Sequence, residues 1–229
     1  GRLPERVAQR LGASVNILAE SLSSMAAAPD GFSETSESLR SFAEAASRVA
    51  ADQLGDSGSR LLLRTCGIGE MSPAAAMVLS PELPVVQKDS KRLLVRASSI
   101  FHIKIGESEL KGTSVAVSGA KDGLRGNRWI SPVQLPVAKL VDRSLCGEFQ
   151  LLARLCDEIL RGDYVSLPSD AVAGSVHLFV TATPCLSCIA VLCQFHRLFP
   201  EIQLEVSWDS SVNHLAGKGV SHSHALQTC

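Results

Sequence analysis

The stretch from residue 174 to residue 208 constrains the fold more than any other part of the chain. An apolar segment typical of a buried strand, "GSVHLFVTAT", is followed by "PCLSCIAVLCQFHRLFP" and then by a second strand pattern, "IQLEVSW". The middle segment is predicted to be a helix, because Pro184 stands near its start, where proline is favoured, and Pro200 closes it. Two strands joined by one crossover helix lie parallel in the same sheet. The sequence therefore predicts an α/β domain in which at least the last two strands are parallel.

The segments before this stretch extend the order of elements. "RLLVRASSIFHIKI" and "TSVAVSG" are rich in valine and isoleucine, and both predict strands. Residues 144–160 predict a helix, because Leu145, Phe149 and Leu152 recur at helical spacing on one face. The predicted order of the second half is thus strands, helix, strand, helix, strand.

The whole chain is predicted to divide into four parts. Apolar residues recur at helical spacing in residues 3–22 and 36–54, and "GDSGS" is expected to end the second of these helices. The four parts are a helical N-terminal extension (1–56), a linker and flanking segment (57–90), the main domain (91–209) and a polar C-terminal tail (210–229).

The composition favours a soluble protein with reduced cysteines. The first residues, "GRLPERVAQRLG", lack the apolar core of a signal peptide, and no apolar run approaches the ~18 residues that span a membrane. The seven cysteines are therefore expected to stay reduced, in the cytoplasm or the nucleus, rather than to form a disulfide framework. The net charge of −1 does not mark a nucleic-acid binder, so such binding would need a local basic patch.

Two cysteines three residues apart, Cys185 and Cys188, lie in the first turn of the helix that begins near Pro184. The spacing places both sulfur atoms on one face, and a helix N-terminus favours ionised thiols. Thiolates bind zinc, but such pairs also occur in redox sites and as buried core residues. The pair alone leaves these three interpretations open.

Cys146 and Glu148 stand at the start of the preceding helix, in "SLCGEF", and the small Gly147 between them lets another element approach closely. On a regular helix, side chains two residues apart point about 200° away from each other. Both can therefore face one point only if that point lies off the end of the helix. An ion held at the facing N-termini of two helices would satisfy this condition.

The combination of Cys146 and Glu148 with a later Pro184-Cys185-x-x-Cys188 resembles the signature of the zinc-dependent nucleoside and nucleobase deaminases, with cysteine in the place of the commoner histidine. The order of elements in residues 91–209 also matches that family, and "CIAVLCQFHRLFPEIQLEV" is similar to its bacterial toxin-type members. The resemblance implies a three-layer fold like that of cytidine deaminase. In that fold a mixed sheet of four or five strands carries the two zinc-site helices, here preceded by the helical extension.

The resemblance also implies a site and a reaction. Cys146, Cys185 and Cys188 would hold Zn²⁺ and leave a fourth position for water, while Glu148 would transfer protons and bind no metal. The implied enzyme is a toxin-like hydrolase that edits nucleic acid by converting cytosine to uracil in DNA, single-stranded and also duplex. Deamination of RNA or of a free nucleoside is the alternative within the enzyme class. A non-catalytic interaction module stabilised by zinc is the alternative outside it.

A purely structural zinc site would need a fourth protein ligand. Cys193 lies five residues after Cys188 and points away from that face, and Cys156 lies three turns into its own helix. Both are therefore predicted to be core residues. A structural site also has no use for the carboxylate of Glu148, which favours the catalytic alternative.

The loop before the first motif helix is a candidate wall for a base pocket. Beside Asn127, Arg128 would contact phosphate and Trp129 would stack on a base, or else the loop is a solvated turn with Trp129 in the core. Thr183 and Pro184, at the start of the second motif, are further candidates for substrate contact. The predicted partner is a nucleic acid, DNA before RNA, bound by a monomer without membrane association.

Overall fold

A computed structural model describes residues 18, 40, 55–71, 95–119, 127–133, 142–161 and 171–208 of the chain. The longer ranges form three α-helices, five β-strands and one short 3-10 turn. In chain order these are α1 (Gly55–Thr65), β1 (Gly69–Glu70), β2 (Arg96–Ile105), β3 (Ser108–Val117), the 3-10 turn (Arg143–Leu145), α2 (Gly147–Ile159), β4 (Val172–Val180), α3 (Leu186–Leu198) and β5 (Ile202–Trp208). The strands and helices predicted for the second half of the chain are confirmed.

The five strands form one mixed sheet in the order β1-β5-β4-β2-β3. Strands β4 and β5 are parallel and are joined by α3, as predicted. Strand β2 pairs antiparallel with both β3 and β4, while the two residues of β1 pair parallel with β5. The protein is therefore an α/β protein with a five-stranded mixed sheet.

The hairpin of β2 and β3 closes at Gly106 and Glu107. Ile105 pairs with Ser108, which leaves two residues for the turn, and Gly106 has a φ of 57°. A turn this tight needs a left-handed residue, a conformation that glycine adopts without steric cost. These two strands form one edge of the sheet, and helix α2 packs against both of them.

The hydrophobic core lies between the sheet and the helices. Alternate residues of β4 and β5 are buried, among them Val176, Leu178 and Leu204. Helix α3 is buried along its first ten residues, which agrees with its largely apolar sequence. Helix α2 packs on β2 and β3 and also against α3. The packing brings the two helices that carry the candidate ligands side by side.

The prediction that "GDSGS" ends a helix is wrong, because these residues are themselves helical, in the segment Gly55–Thr65 of α1. Glycine and serine are weak helix formers, but burial of Leu62 and Leu63 outweighs their propensity. The predicted helices at 3–22 and 36–54 lie outside the described residues except for Leu18 and Arg40, which are both helical. The C-terminal tail also lies outside them.

The expectation that all cysteines stay reduced is wrong for one pair. Cys66, directly after α1, forms a disulfide with Cys193 of α3. The prediction failed because packing of α1 against α3 brings together two thiols that lie 127 residues apart in sequence.

Within the described ranges, none of the helices has the length and apolar character needed to cross a membrane.

Candidate metal centre

The three cysteines of the motif come together at the N-termini of α2 and α3. Cys146 is the residue before α2, Cys185 is the residue before α3, and Cys188 lies in the first turn of α3. Their sulfur atoms all lie within 4.8 Å of one another, and those of Cys185 and Cys188 are 3.3 Å apart. The structure therefore brings the three predicted ligands together where the two helices begin.

Two hydrogen bonds fix the backbone on either side of Cys146. The N–H of Gly119 donates to the carbonyl of Leu145, and the N–H of Gly147 donates to the hydroxyl of Ser118, both at 2.9 Å. A Cβ at Gly147 would lie 3.1 Å from the Cβ of Ala97, so glycine lets α2 begin close to the sheet without displacing this neighbour. The end of β3 thus anchors Cys146.

The approach to Cys185 is fixed in the same way. The N–H of Thr181 donates to the carbonyl of Arg96, and the N–H of Arg96 donates to the hydroxyl of Thr181, both at 2.9 Å. Cys185 then caps α3, where its sulfur accepts the N–H of Cys188 at 3.4 Å. Both helix ends are therefore anchored to β-strands of the sheet, which suits a preformed ligand set.

The donor set fits a tetrahedral thiophilic metal. Zinc binds thiolate at about 2.3 Å, which places the sulfurs of a tetrahedral site about 3.8 Å apart. The observed separations, 3.3 Å for one pair and no more than 4.8 Å for the others, are compatible with this value. No other His, Cys, Asp or Glu of the described residues belongs to the group. These three thiols could hold a metal ion and leave a fourth coordination position.

Glu148 is buried beside this group, with only 3% of its surface exposed. Burial, reinforced by the negative charge of Cys185, raises the pKa of its carboxyl from 4.5 to about 7. A hydrogen bond from the Cys188 side chain and the charge of Arg143 act in the opposite direction but do not outweigh burial. Without a metal, the carboxyl of Glu148 therefore keeps its proton to a higher pH than an exposed glutamate does.

Sequence reasoning missed Arg143, which the 3-10 turn directs into the site. Arg143 is buried, and its Nη1 donates to the sulfur of Cys185 at 3.6 Å. The carboxylate of Asp142 holds the turn by accepting from the N–H and the hydroxyl of Ser144, at 3.1 and 2.5 Å. The available signal was weak, a single arginine three residues before the first motif cysteine.

The loop 127–133 is held to the helices by its polar side chains. The amide of Asn127 donates to the carbonyl of Ala153 and to Asp157 of α2, at 3.1 and 3.0 Å. Its carbonyl oxygen accepts the N–H groups of Trp129 and Ile130, so the amide is engaged on both sides. Ala153 lies five residues past Glu148, about 7 Å along the helix axis. Asn127 therefore has a structural role, and a contact with a base stays a prediction.

The other residues predicted to contact substrate have varied surroundings. Arg128 is exposed and stacks over the ring of Trp129, 4.3 Å from its centre. Trp129 itself packs against the hydrophobic core, as the alternative interpretation of this loop expects. Thr183 is half-buried and Pro184 is buried directly before Cys185. Substrate contact by these four residues stays a prediction.

The two cysteines predicted to be core residues are indeed buried. Cys156 is fully buried in α2, and burial raises the pKa of its thiol well above the usual value. Cys193 is buried as well, within its disulfide to Cys66. Neither belongs to the three-cysteine group, so neither supplies a fourth ligand.

The fold and the site define an α/β protein with a candidate three-cysteine metal centre. Comparisons with protein-family models, with curated proteins and with solved structures each found no match. The resemblance to the zinc-dependent deaminases therefore rests on Cys146, Glu148, Pro184, Cys185 and Cys188, together with the order of the elements.

Proposed function

We propose that this chain is a zinc-dependent deaminase of the cytidine deaminase type, which hydrolyses cytosine to uracil in DNA. One observation carries the proposal: the buried carboxyl of Glu148 lies beside three cysteines that could bind a metal. Hydrolytic deamination needs a metal site with an open position and a proton carrier next to it. The arrangement supports the proposal, because the three cysteines could hold such a metal and Glu148 lies next to them.

Cys146, Cys185 and Cys188 would hold the zinc, which supplies a Lewis acid and an activated water when bound. Glu148 accepts a proton from the attacking water and delivers it to the ring nitrogen of cytosine. It then transfers a second proton, from the added hydroxyl, to the leaving amine. Water and cytosine are consumed, and uracil and ammonia are formed.

The same carboxyl argues against a purely structural metal site. Burying an ionisable group without a charged partner costs free energy, and the raised pKa of Glu148 reflects this cost. A structural centre would gain nothing from it. The non-catalytic alternative would also need a fourth protein ligand, which the described residues do not contribute to the group.

The choice of DNA as the substrate rests on the resemblance to the toxin-type deaminases and on the basic residues of the loop 121–128. Arg128, the described basic residue of that loop, is exposed and already stacked on an aromatic ring, as in sites that bind nucleic acid by stacking and charge. RNA and free cytidine are the alternative substrates.

The test is a uracil assay on the zinc-loaded full chain. Single-stranded DNA, duplex DNA, RNA and free cytidine are incubated separately and then sequenced or chromatographed for uracil. Glu148→Gln is compared with Glu158→Gln, which changes an exposed carboxyl on the same helix. Loss of the proton carrier is expected to slow the reaction about 10²- to 10⁴-fold, whereas Glu158→Gln should act as wild type.

Zinc content, measured by elemental analysis, keeps binding and chemistry apart. Glu148→Gln should retain one zinc per chain. A zinc-loaded wild-type protein that forms no uracil from any of the four substrates would refute the proposal and leave the non-catalytic module. Full activity of Glu148→Gln would refute the role of Glu148 alone.

A further inference from the structure

We propose that Cys185 and Cys188 are a redox couple that closes into a disulfide in the presence of a peroxide, so that the chain binds a metal only while this pair is reduced. The inference rests on the metal site of the proposed function but not on the reaction assigned to it. The two sulfurs that lie nearest each other in the three-cysteine group can bind a metal or each other, and not both.

The distances single out this pair within the group. The sulfurs of Cys185 and Cys188 are 3.3 Å apart, and both residues belong to the N-terminal end of α3. They must approach by about 1.2 Å to reach the length of a disulfide bond, and no helix has to move against another. Cys146 belongs to the other helix, and the backbone on either side of it is hydrogen-bonded to the end of β3. A disulfide to Cys146 is therefore the less accessible product.

Exposure and hydrogen bonding make Cys185 the sulfur that meets the oxidant. Cys185 is half-buried, whereas Cys146 and Cys188 are buried. The sulfur of Cys185 also accepts the N–H of Cys188 at 3.4 Å, and N–H groups at a helix N-terminus stabilise a thiolate. Thiolate character and access together decide which cysteine a peroxide oxidises. Cys156 has neither, because it is fully buried in α2 and burial raises the pKa of its thiol.

The oxidation proceeds in two steps, written here for hydrogen peroxide. The thiolate of Cys185 attacks one peroxide oxygen, the O–O bond breaks, and a sulfenic acid and hydroxide form. The thiolate of Cys188 then attacks the sulfenic sulfur, the S–O bond breaks, and a second hydroxide leaves. The two sulfurs lose two electrons in total and the peroxide gains them. A dithiol restores both thiols by thiol–disulfide exchange and is itself oxidised to a disulfide.

Closure of this disulfide removes two of the three ligands of the metal centre and leaves Cys146. Loss of an outer partner of a ligand already costs about 10- to 100-fold in metal affinity, so loss of two ligands should cost more than about 100-fold. The opposition also acts in reverse. A tetrahedral zinc ion holds its sulfurs about 3.8 Å apart and so opposes their closure.

The experiment exposes the full chain to hydrogen peroxide, first metal-free and then loaded with Zn²⁺. Cys229→Ser is the common background, because Cys229 lies outside the described residues. Disulfides are mapped by mass spectrometry after alkylation, and zinc affinity is measured in competition with a chromophoric chelator. We expect a Cys185–Cys188 disulfide beside the link between Cys66 and Cys193. Zinc affinity should fall more than about 100-fold and recover once a dithiol has been added and removed, and the loaded chain should release one zinc per disulfide formed.

Three variants separate the two steps from a general reactivity of the group. In Cys188→Ser the second thiolate is absent, so a sulfenic acid at Cys185 should accumulate and react with a 1,3-diketone probe. Cys185→Ser should give neither the sulfenic acid nor the disulfide. Cys146→Ser is the matched control, because it removes a thiol of the same group but should still form the Cys185–Cys188 disulfide.

The contrary outcomes are equally definite. A disulfide that contains Cys146, or an oxidised chain that keeps its zinc affinity, overturns the inference, and both are read on the parent chain even if a variant fails to fold. If the parent chain binds zinc but deaminates nothing, the proposed function fails while the thiol and zinc measurements still test the redox couple. If it deaminates normally and peroxide leaves Cys185 and Cys188 unlinked, the inference on this pair fails alone.

Discussion

Replacing Glu148 by glutamine is expected to stabilise the metal-free protein at alkaline pH, although it removes the group proposed to transfer protons. The fold raises the pKa of this carboxyl from 4.5 to about 7, mainly by burial. The folded protein therefore binds this proton more tightly than the unfolded chain does. The contribution of Glu148 to stability is complete below about pH 4.5 and is lost as the pH rises to about 7.

The size of the effect follows from the two pKa values. Since one pKa unit corresponds to 1.36 kcal/mol, ionisation of Glu148 costs the fold about 3 kcal/mol at pH 8 and less than about 1 kcal/mol at pH 5. Glutamine fills nearly the same volume and does not ionise. The stability of Glu148→Gln relative to wild type should therefore increase by about 2–3 kcal/mol between pH 5 and pH 8.

The assay is urea unfolding of the metal-free protein under nitrogen, without reductant, followed by tryptophan fluorescence at both pH values. Any change in packing or hydrogen bonding caused by the amide adds a constant offset, so the pH-dependent part carries the test. Glu158→Gln, which alters an exposed carboxyl on the same helix, should show no such increase. A difference between wild type and Glu148→Gln that stays constant from pH 5 to pH 8 would refute the reasoning.

Three further changes test the packing around the site. Cys66→Ala breaks the disulfide to Cys193 and should lower the free energy of unfolding by at most about 5 kcal/mol, the value expected from loop entropy. Peptide mapping under non-reducing conditions should show the two cysteines linked in the wild-type protein. Alkylation of both thiols in the native protein would contradict this prediction. Gly174→Ala would place a Cβ 2.1 Å from a backbone oxygen of β2, so it should lower the free energy of unfolding in urea by more than about 3 kcal/mol. The control Gly106→Ala, whose Cβ would meet nothing within 4 Å, should lower it by about 1 kcal/mol. Equal losses for the two variants would contradict this prediction. Asn127→Ala removes four hydrogen bonds of the loop 127–133 and should cost about 2–4 kcal/mol while zinc content stays the same, and a fall in zinc content would place this loop at the metal instead.

Much of the fold was predictable because its signals are local. The crossover between β4 and β5 is marked by Pro184 and Pro200, which bound one helix between two apolar strands. The three-cysteine group was predictable for a similar reason, since each member stands at the start of a helix whose boundaries the sequence indicates. Because α2 and α3 both begin close to the sheet, the cysteines at their N-termini lie near each other.

The parts that were missed depend on contacts between distant segments. Neither Cys66 nor Cys193 has a neighbour in sequence that marks a disulfide, because the pair is made by the packing of α1 on α3. The helix at Gly55 was missed because burial of Leu62 and Leu63 overrides a sequence with weak helical propensity. Arg143 was missed because a single arginine in a connection is most often solvated, and only the fold shows that it is buried.

The order of the strands has a consequence for the way in which the sheet is assembled during synthesis. Strand β5, the last described strand along the chain, lies between β1 and β4, and Glu70 pairs with Val206 roughly 135 residues later. A growing chain can form the β2–β3 hairpin early, but β1 has no partner until β5 has left the ribosome. Until then β4 exposes an open edge, which is the kind of surface on which nascent chains associate. Completion of the sheet, and with it the final seating of α1 beside α3, therefore waits until β5 has been synthesised.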